Sequence, residues 1–451
     1  MQIIAKANNT VLAILKNITK KSSSNRLSWY CVKTETEDGT LLFNLLTREM
    51  LLLSGEEYNK IYDIDYLKEH YFVVPEGANE KECADLVKLI FANQKRKTNE
   101  ITSYTIFTTT DCNARCFYCF ELGRSRIPMS HETAIKVVDY ISKHCGGKPV
   151  NLTWFGGEPL MNVDVIDTIC NGLAQKGITF KSRMVTNGYL VDAEIAQKAA
   201  EQWNIKDVQI TLDGTEKVYN KIKAYIPKSE SAYQRVLSNI EKLLDASISV
   251  QIRLNMDLYN AEDLLLLVDE LSSRFSGRKG LFVYAHHLFK NGVSMADMHS
   301  ADEWEKRGIA MCQLEERIRE SGLMQRSGIS NSIRTNHCMA DSGKAVTILP
   351  NGEIGLCEHY SETEFIGHIN KEGFDTALME NWKERMPAFP ECAECFYYPM
   401  CIKLSKCPSE GACYQLHRQE KQRKISRAMI DQYENWKNKL ETEHEEDTDE
   451  C

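Results

Sequence analysis

TTTDCNARCFYCFE, residues 108–121, sets Cys112, Cys116 and Cys119 in the spacing C-x3-C-x2-C at the end of a strand-like run. Three thiolates on one short loop can ligate three irons of a cubane and leave the fourth without a protein ligand. Electron carriers normally use four cysteines, so the three-cysteine loop points to a different occupant of the vacant iron. The alternatives are cysteines grouped by chance or a zinc site, although zinc favours paired C-x2-C knuckles and four ligands in all.

Outward from this loop, residues 101–325 alternate strand and helix six times. The strands are YTIFTTT, VNLTWF, SRMVTN, DVQITLD, SVQIRLN and GLFVYAHHLF, separated by amphipathic segments such as HETAIKVVDYISKH and DAEIAQKAAEQWN. Repeated β–α units imply an α/β fold with a parallel sheet and right-handed crossovers. Function in such a sheet belongs at the carboxyl ends of its strands. Gly156-Gly157-Glu158-Pro159 follows Trp154-Phe155 at the second strand end, Thr186-Asn187-Gly188 closes the third, and Thr211-Leu212-Asp213-Gly214 closes the fourth. Two glycines let backbone approach a ligand closely, and Glu158 can pair with an ammonium group. Each motif alone also suits a turn that needs glycine. Together with the cysteine loop they make four matches in order.

The cysteine loop, with Tyr118 just before its last Cys, and the GGEP stretch resemble the signature of the radical SAM superfamily over roughly residues 101–290. That resemblance implies a partial (β/α)6 TIM barrel carrying a [4Fe–4S] cluster on Cys112, Cys116 and Cys119. The methionyl amino and carboxylate groups of S-adenosylmethionine would chelate the open iron. An electron from the cluster would then break the sulfonium carbon–sulfur bond, leaving a 5′-deoxyadenosyl radical. The resemblance also implies a cofactor contact from Tyr118, and contacts to the methionyl amino group from Gly156, Gly157 and Glu158. Asn187, Thr211 and Asp213 would line the adenosyl pocket, with Thr211 standing in place of the usual Ser.

A second group of cysteines lies further on. Cys338, Gly352 and Cys357 have the spacing C-x13-G-x4-C, and AVTILPNGEIGLC reads as a hairpin turning at Pro350-Asn351-Gly352, with Cys357 on its return strand. Then come Cys392, Cys395, Cys401, Cys407 and Cys413. This resembles the Cys-rich SPASM domain found behind radical SAM cores that modify peptides. It implies two auxiliary [4Fe–4S] clusters, three in all: Cys392, Cys395, Cys401 and Cys413 for the second, and Cys338, Cys357 and Cys407 for the first. The pattern departs from that family in two ways. Five residues separate Cys401 from Cys407 where three are usual, and the first auxiliary cluster lacks a fourth ligand. Either Cys312 reaches it or one iron stays open; a zinc site on the C-x2-C pair is the alternative. Cys31, Cys83, Cys145, Cys170 and Cys451 read as ordinary thiols.

Residues 1–100 contain LSWYCVKT, a turn at Glu37-Asp38-Gly39-Thr40, the strands LLFN and EMLLLS, and a capping box of Ser54 and Glu57 that starts a helix near Gly55. HYFVV, a helix with Cys83, Leu86, Val87 and Ile90 on one face, and the polar linker NQKRKTNE follow. The order of elements resembles the winged-helix module that binds the leader of a ribosomal peptide by strand addition; a plain structural cap is the alternative. The domains expected are thus 1–100, 101–325 and 326–451, the last ending in the helix RKISRAMIDQYENWKNKLE.

Composition sets the surroundings. With 43% hydrophobic and 26% charged residues, the chain has ample apolar mass for a core. No apolar run approaches a bilayer span, and the apolar stretch Val11 to Leu15 is too short for a secretory signal. A cytoplasmic protein with no membrane partner is expected, its 16 cysteines serving metals and not disulfides. The last eleven residues carry seven acids and no Lys or Arg, the composition of a disordered end. The rest has no basic excess to attract nucleic acid.

These readings converge on a radical SAM oxidoreductase acting on a ribosomal precursor peptide with a leader, closing a thioether or carbon–carbon crosslink. A flavodoxin- or ferredoxin-type reductant would supply electrons. An anaerobic sulfatase maturase is the second reading and wants a carboxylate base. Asp257 is its candidate, against a plain loop residue before a helix capped by Asn260 and Asp263. A non-catalytic iron–sulfur electron carrier is the third, and leaves the GGEP, TNG and TLDG loops unexplained. His286 and His287 should point to opposite sides of their strand, and Arg253 is a candidate for the S-adenosylmethionine carboxylate or for an ion pair.

Overall fold

The computed structural model describes residues 1–16, 24–95, 100–227, 231–288, 300–324, 328–360, 364–407 and 415–449. All six strands expected in the central region form: β1 (Ser103–Thr109), β2 (Val150–Gly156), β3 (Phe180–Thr186), β4 (Ile205–Thr211), β5 (Ser249–Met256) and β6 (Leu281–His287). They lie side by side in chain order and are parallel throughout. Alternation does the sorting: Val150, Leu152 and Trp154 of β2, and Val250, Ile252 and Leu254 of β5, are all buried. Three of the helices between them start on side chains that satisfy a free backbone N–H. Ser130 accepts from Thr133, Asp192 from Ile195 and Ser231 from Gln234.

The sheet does not stop at residue 325. β7 (Ala345–Ile348) pairs parallel with β1, from Ala345 opposite Ser103 to Ile348 opposite Ile106. β8 (Glu353–Gly355) and β9 (Gly367–His368) then add antiparallel, giving nine strands in the order β6-β5-β4-β3-β2-β1-β7-β8-β9. The hairpin read from AVTILPNGEIGLC is present, with Gly352 at φ +90° in its turn. Its first strand belongs to the central sheet as well, and Cys357 falls two residues past the return strand.

The first hundred residues build a four-stranded antiparallel sheet in the order Gln2–Ala5, Met50–Leu53, Gly39–Asn44, Cys31–Thr36. The Ser54–Glu57 capping box forms as expected. Gln2–Ala5 and the helix Asn9–Lys16 were not anticipated; Val11, Leu12 and Leu15 are buried by that helix. The helix Glu80–Lys95 docks on the Cys-rich segment, where Lys88 donates to the carbonyls of Tyr398 (2.6 Å) and Cys401 (3.2 Å). Burial pushes the Lys88 ammonium down to about 8.

The acidic end is a correction. The final helix, Gln415–Asp449, runs through the acidic segment instead of ending before it. Glu is a good helix former, and the helix is already nucleated by packing: Met429 and Tyr433 share a core with Ile4, Val32, Phe43 and Met50 of the N-terminal sheet. Among the described residues no helix is long and apolar enough to cross a membrane.

Candidate radical site at the strand ends

The loop 112–119 leaves the carboxyl end of β1 and is held by the ends of three neighbouring strands. Asp111 accepts from the Cys112 N–H (2.8 Å), and the Ala114 N–H points at Cys112 Sγ (3.4 Å). Asn187, just past β3, reaches Asn113 Oδ1 (2.6 Å) and lies 3.8 Å from Cys112 Sγ. Arg115 N–H donates to the Lys223 carbonyl (2.8 Å).

Gly156 and Gly157 are required here by contact. The Gly157 N–H donates to Thr109 O (3.0 Å) and the Glu158 N–H to Asp111 O (2.8 Å), so the two strand ends are laced together. A Cβ on Gly156, at φ +124°, would sit 2.1 Å from Thr109 O; one on Gly157 would sit 2.1 Å from Asp111 O. The sequence reading gave these glycines to ligand approach, and the structure shows that approach of the cysteine loop itself also requires them.

Glu158 is enclosed by protein. It is 0% exposed, and its carboxylate takes three protein donors: Leu160 N–H (3.1 Å), Thr186 Oγ1 (2.7 Å) and Asn187 N–H (2.8 Å). Burial raises its pKa against these bonds. Its role in the structure is to tie the ends of β2 and β3 together.

Sequence reasoning missed Lys223. This residue, 3% exposed, ends the helix Glu216–Lys223 and donates to Asp213 Oδ2 (3.0 Å) and to the Tyr118 hydroxyl (3.0 Å). Tyr118 in turn donates to Asp213 Oδ2 (2.6 Å). Burial works against the ammonium, but Asp213, Tyr118 and Cys116 outweigh it and hold its pKa well above the ordinary value. A signal was present: Lys223 lies four residues after Tyr219 and one after Ile222, on the face that the helix buries. A lysine on an apolar stripe has a partner inside.

The loop presents three free thiols, the donor type a soft metal takes as thiolate. Burial, ahead of nearby Glu158, pushes the Cys112 thiol up to about 12, and burial pushes Cys119 up to about 11. Asn113 Nδ2 and Asp213 Oδ1 are buried without a hydrogen-bond partner, as polar atoms are when a ligand completes the site. Thr211 ends β4 opposite Arg253 of β5, and the Arg253 Nε donates to Asn255 (2.9 Å). Among the described residues no three His, Cys, Asp or Glu side chains already stand at metal-holding spacing, so the thiols are presented on loops instead of closed around a point.

The second group of cysteines is partly visible. Cys338 and Cys357 are raised to about 11 and 12, first by burial, with Cys407 adding to both. Cys392, Cys395, Cys401 and Cys407 lie along one run of tight turns; Cys413 and Cys451 fall outside the described residues. Cys312 sits in the helix Ala301–Glu320 against the Arg423 guanidinium. The segment after Cys357 reaches the first loop: the His359 ring is 4.8 Å from that of Phe120, and Arg124 donates to the His359 carbonyl (3.1 Å).

Asp257 is ion-paired with the buried Arg307 at 2.5 Å. The caps expected beside it are otherwise engaged. Asn260 donates to Asp213 O and Asn255 O, and Asp263 accepts from Thr215. Asp257→Asn should therefore cost about 1.5–3 kcal/mol of stability, the worth of a hydrogen bond to a charged group. Cofactor cleavage, which takes an electron and no proton, should persist and so should product formation; loss of peptide product in folded protein that still cleaves the cofactor would restore Asp257 as a base. His286 is exposed, while His287 packs edge-on against Trp304 (5.6 Å), as the strand alternation required.

Comparison with known proteins agrees with this geometry. The radical SAM superfamily model matches residues 106–271. The probable GTP 3′,8-cyclase of Archaeoglobus fulgidus is 30% identical over 301 residues, 64% of this chain and 96% of that protein. The chain thus belongs to the radical SAM superfamily, whose fold implies S-adenosylmethionine and a [4Fe–4S] cluster. It spans about half the length of other curated relatives, 48% for two of them. Among solved structures, native anSMEcpe with bound AdoMet and Cp18Cys peptide aligns with a TM-score of 0.56 at 15% identity, covering 75% of this chain and 99% of that one. Streptococcus suis SuiB aligns at 0.51 and 14% identity, covering 86% and 99%.

Proposed function

We propose that this radical SAM enzyme is a peptide maturase with three [4Fe–4S] clusters, installing a thioether or carbon–carbon crosslink in a ribosomal precursor peptide. The observation that carries the reading is the N-terminal sheet. One face is covered by the final helix, yet among the described residues no strand pairs with the outer edge of Cys31–Thr36, where Lys33 and Glu35 are exposed. An unpaired strand edge suits a leader segment added as a further strand. The module is anchored to the Cys-rich segment through Lys88 and through Tyr398, whose hydroxyl donates to Asp85 (2.6 Å). The matched structure with a bound peptide supports the same substrate class.

In this reading Cys112, Cys116 and Cys119 hold the first cluster, and the bound cluster and S-adenosylmethionine together supply a 5′-deoxyadenosyl radical. The chain's own residues fix the site. Gly156 and Gly157 let the loop seat, Glu158 locks two strand ends, and Asn113 and Asp213 offer their free polar atoms. Cys392, Cys395, Cys401 and Cys413 would hold one auxiliary cluster, and Cys338, Cys357 and Cys407 the other. Anaerobic incubation of reconstituted protein with the peptide encoded beside its gene should give a product lighter by two hydrogens per crosslink. Cofactor turnover with an unchanged peptide mass would reject the proposal, and a formylglycine residue in the product would transfer it to the sulfatase-maturase reading.

A further inference from the structure

The geometry points to His337 as the fourth ligand of the first auxiliary metal centre, making a Cys3His donor set with Cys338, Cys357 and Cys407. This inference rests on the auxiliary-cluster reading above and settles what that reading left open.

Four observations support it. The first is position: His337 immediately precedes Cys338, and its Nε2 lies 3.5 Å from Cys407 Sγ. It therefore faces one of the three thiols assigned to that centre. The second is orientation. His337 Nδ1 is 2.8 Å from the Ile402 carbonyl, an oxygen that can only accept, so Nδ1 carries the hydrogen. Deprotonated at Nε2, as a metal ligand must be, the ring aims its lone pair toward Cys407. Metal-binding histidines are held in just this way, donating the remote ring N–H to a carbonyl or carboxylate.

The third is support from the backbone. The His337 N–H donates to both oxygens of Asp341 (2.9 and 2.8 Å), the Cys338 N–H donates to Asp341 Oδ1 (3.0 Å), and the His337 carbonyl accepts from Arg334. One carboxylate thus sets the main chain of both prospective ligands, a rigid mounting of the kind metal sites need. The fourth concerns the other candidate. Cys312 lies on a separate helix against Arg423, a side chain from the C-terminal helix that would have to be displaced.

A closed Cys3His set has a chemical consequence. With no open iron, this centre passes electrons and does not bind a substrate thiolate. Imidazole in place of thiolate removes one negative charge and raises the reduction potential, as it does when histidines replace cysteines in Rieske centres.

The test uses the full-length chain with Cys112, Cys116 and Cys119 all changed to Ala, so that only auxiliary centres contribute. After anaerobic reconstitution with iron and sulfide and reduction with dithionite, pulsed EPR should show a strongly coupled imidazole nitrogen. His337→Cys should keep the iron content, abolish the nitrogen coupling and lower the midpoint potential. This second variant separates ligand loss from misfolding. A nitrogen coupling that survives in His337→Cys, or a fully loaded parent with no coupled nitrogen, would overturn the proposal. Should the protein take up zinc instead of iron, the auxiliary-cluster reading falls. X-ray absorption then decides on His337: three sulfurs and one nitrogen sustain it, and any set without nitrogen removes it.

Discussion

Gly157→Ala should abolish retention of the first cluster and lower reductive cleavage of S-adenosylmethionine by about a hundredfold or more, the scale of an ångström-sized misplacement. The added methyl carbon would stand 2.1 Å from Asp111 O, 2.5 Å from Asp111 C and 2.9 Å from Thr110 O. All three are backbone atoms, so no side chain can swing aside. Relief requires moving the chain at Asp111, the residue whose carboxylate holds the Cys112 N–H. The displacement is therefore delivered directly to the first cysteine. Gly308→Ala is the matched control: it lies within the helix Ala301–Glu320, and a Cβ there would meet nothing within 4 Å. That change should stabilise the chain slightly, by up to about 1 kcal/mol. Iron content and 5′-deoxyadenosine formation report the outcome, and unaltered values in Gly157→Ala would refute the proposed seating of the loop.

The second large effect is expected at Lys223. Lys223→Met should destabilise the chain by about 3–5 kcal/mol, because Asp213, 0% exposed, would be left as a buried charge without its cation. Tyr118 would lose an amino donor at the same time. Pairing the change with Asp213→Asn should recover most of the loss, since the uncompensated charge and not the missing lysine carries the cost. Denaturant unfolding of the two single variants and the double variant closes the cycle. Additive losses would show that the pair is uncoupled and that the network around Tyr118 is incidental.

Much of the core was legible because local rules suffice for it. Each of the six strands is a short apolar run, and the second, third and fourth end in a glycine-bearing motif, so both existence and direction could be read. The N-terminal hairpin and the Ser54–Glu57 box were legible for the same reason. What escaped depends on partners remote in the chain. Ala345–Ile348 looks like half of a hairpin, which it is; nothing local reports that its other edge meets Ser103–Ile106. Glu158 reads as an acid able to pair with an ammonium group, but the protein groups that enclose it, Thr186 and Asn187 among them, lie 28 and 29 residues away. Asp257 was legible as a carboxylate near the site, but Arg307, its partner 50 residues on, gave no sign of itself. The acidic end misled for a different reason. Its charge suggested disorder, while its continuity with a packed helix decides its conformation.

The strand contributed by residues 345–348 has a consequence for the molecule as a whole. The loop at the tip of β1 carries Cys112, Cys116 and Cys119, and all but one of the strand's seven residues are buried. Its flank opposite β2 is covered only by a segment that returns from the far side of the catalytic region. A fragment ending at 325 would bare an apolar edge, the template on which chains aggregate. The central sheet is completed by the same segment of chain that carries Cys338 and Cys357 at its two ends. Folding of the central sheet must therefore wait for residues 345–348 to be synthesised, and the two cysteine-bearing regions assemble as one unit.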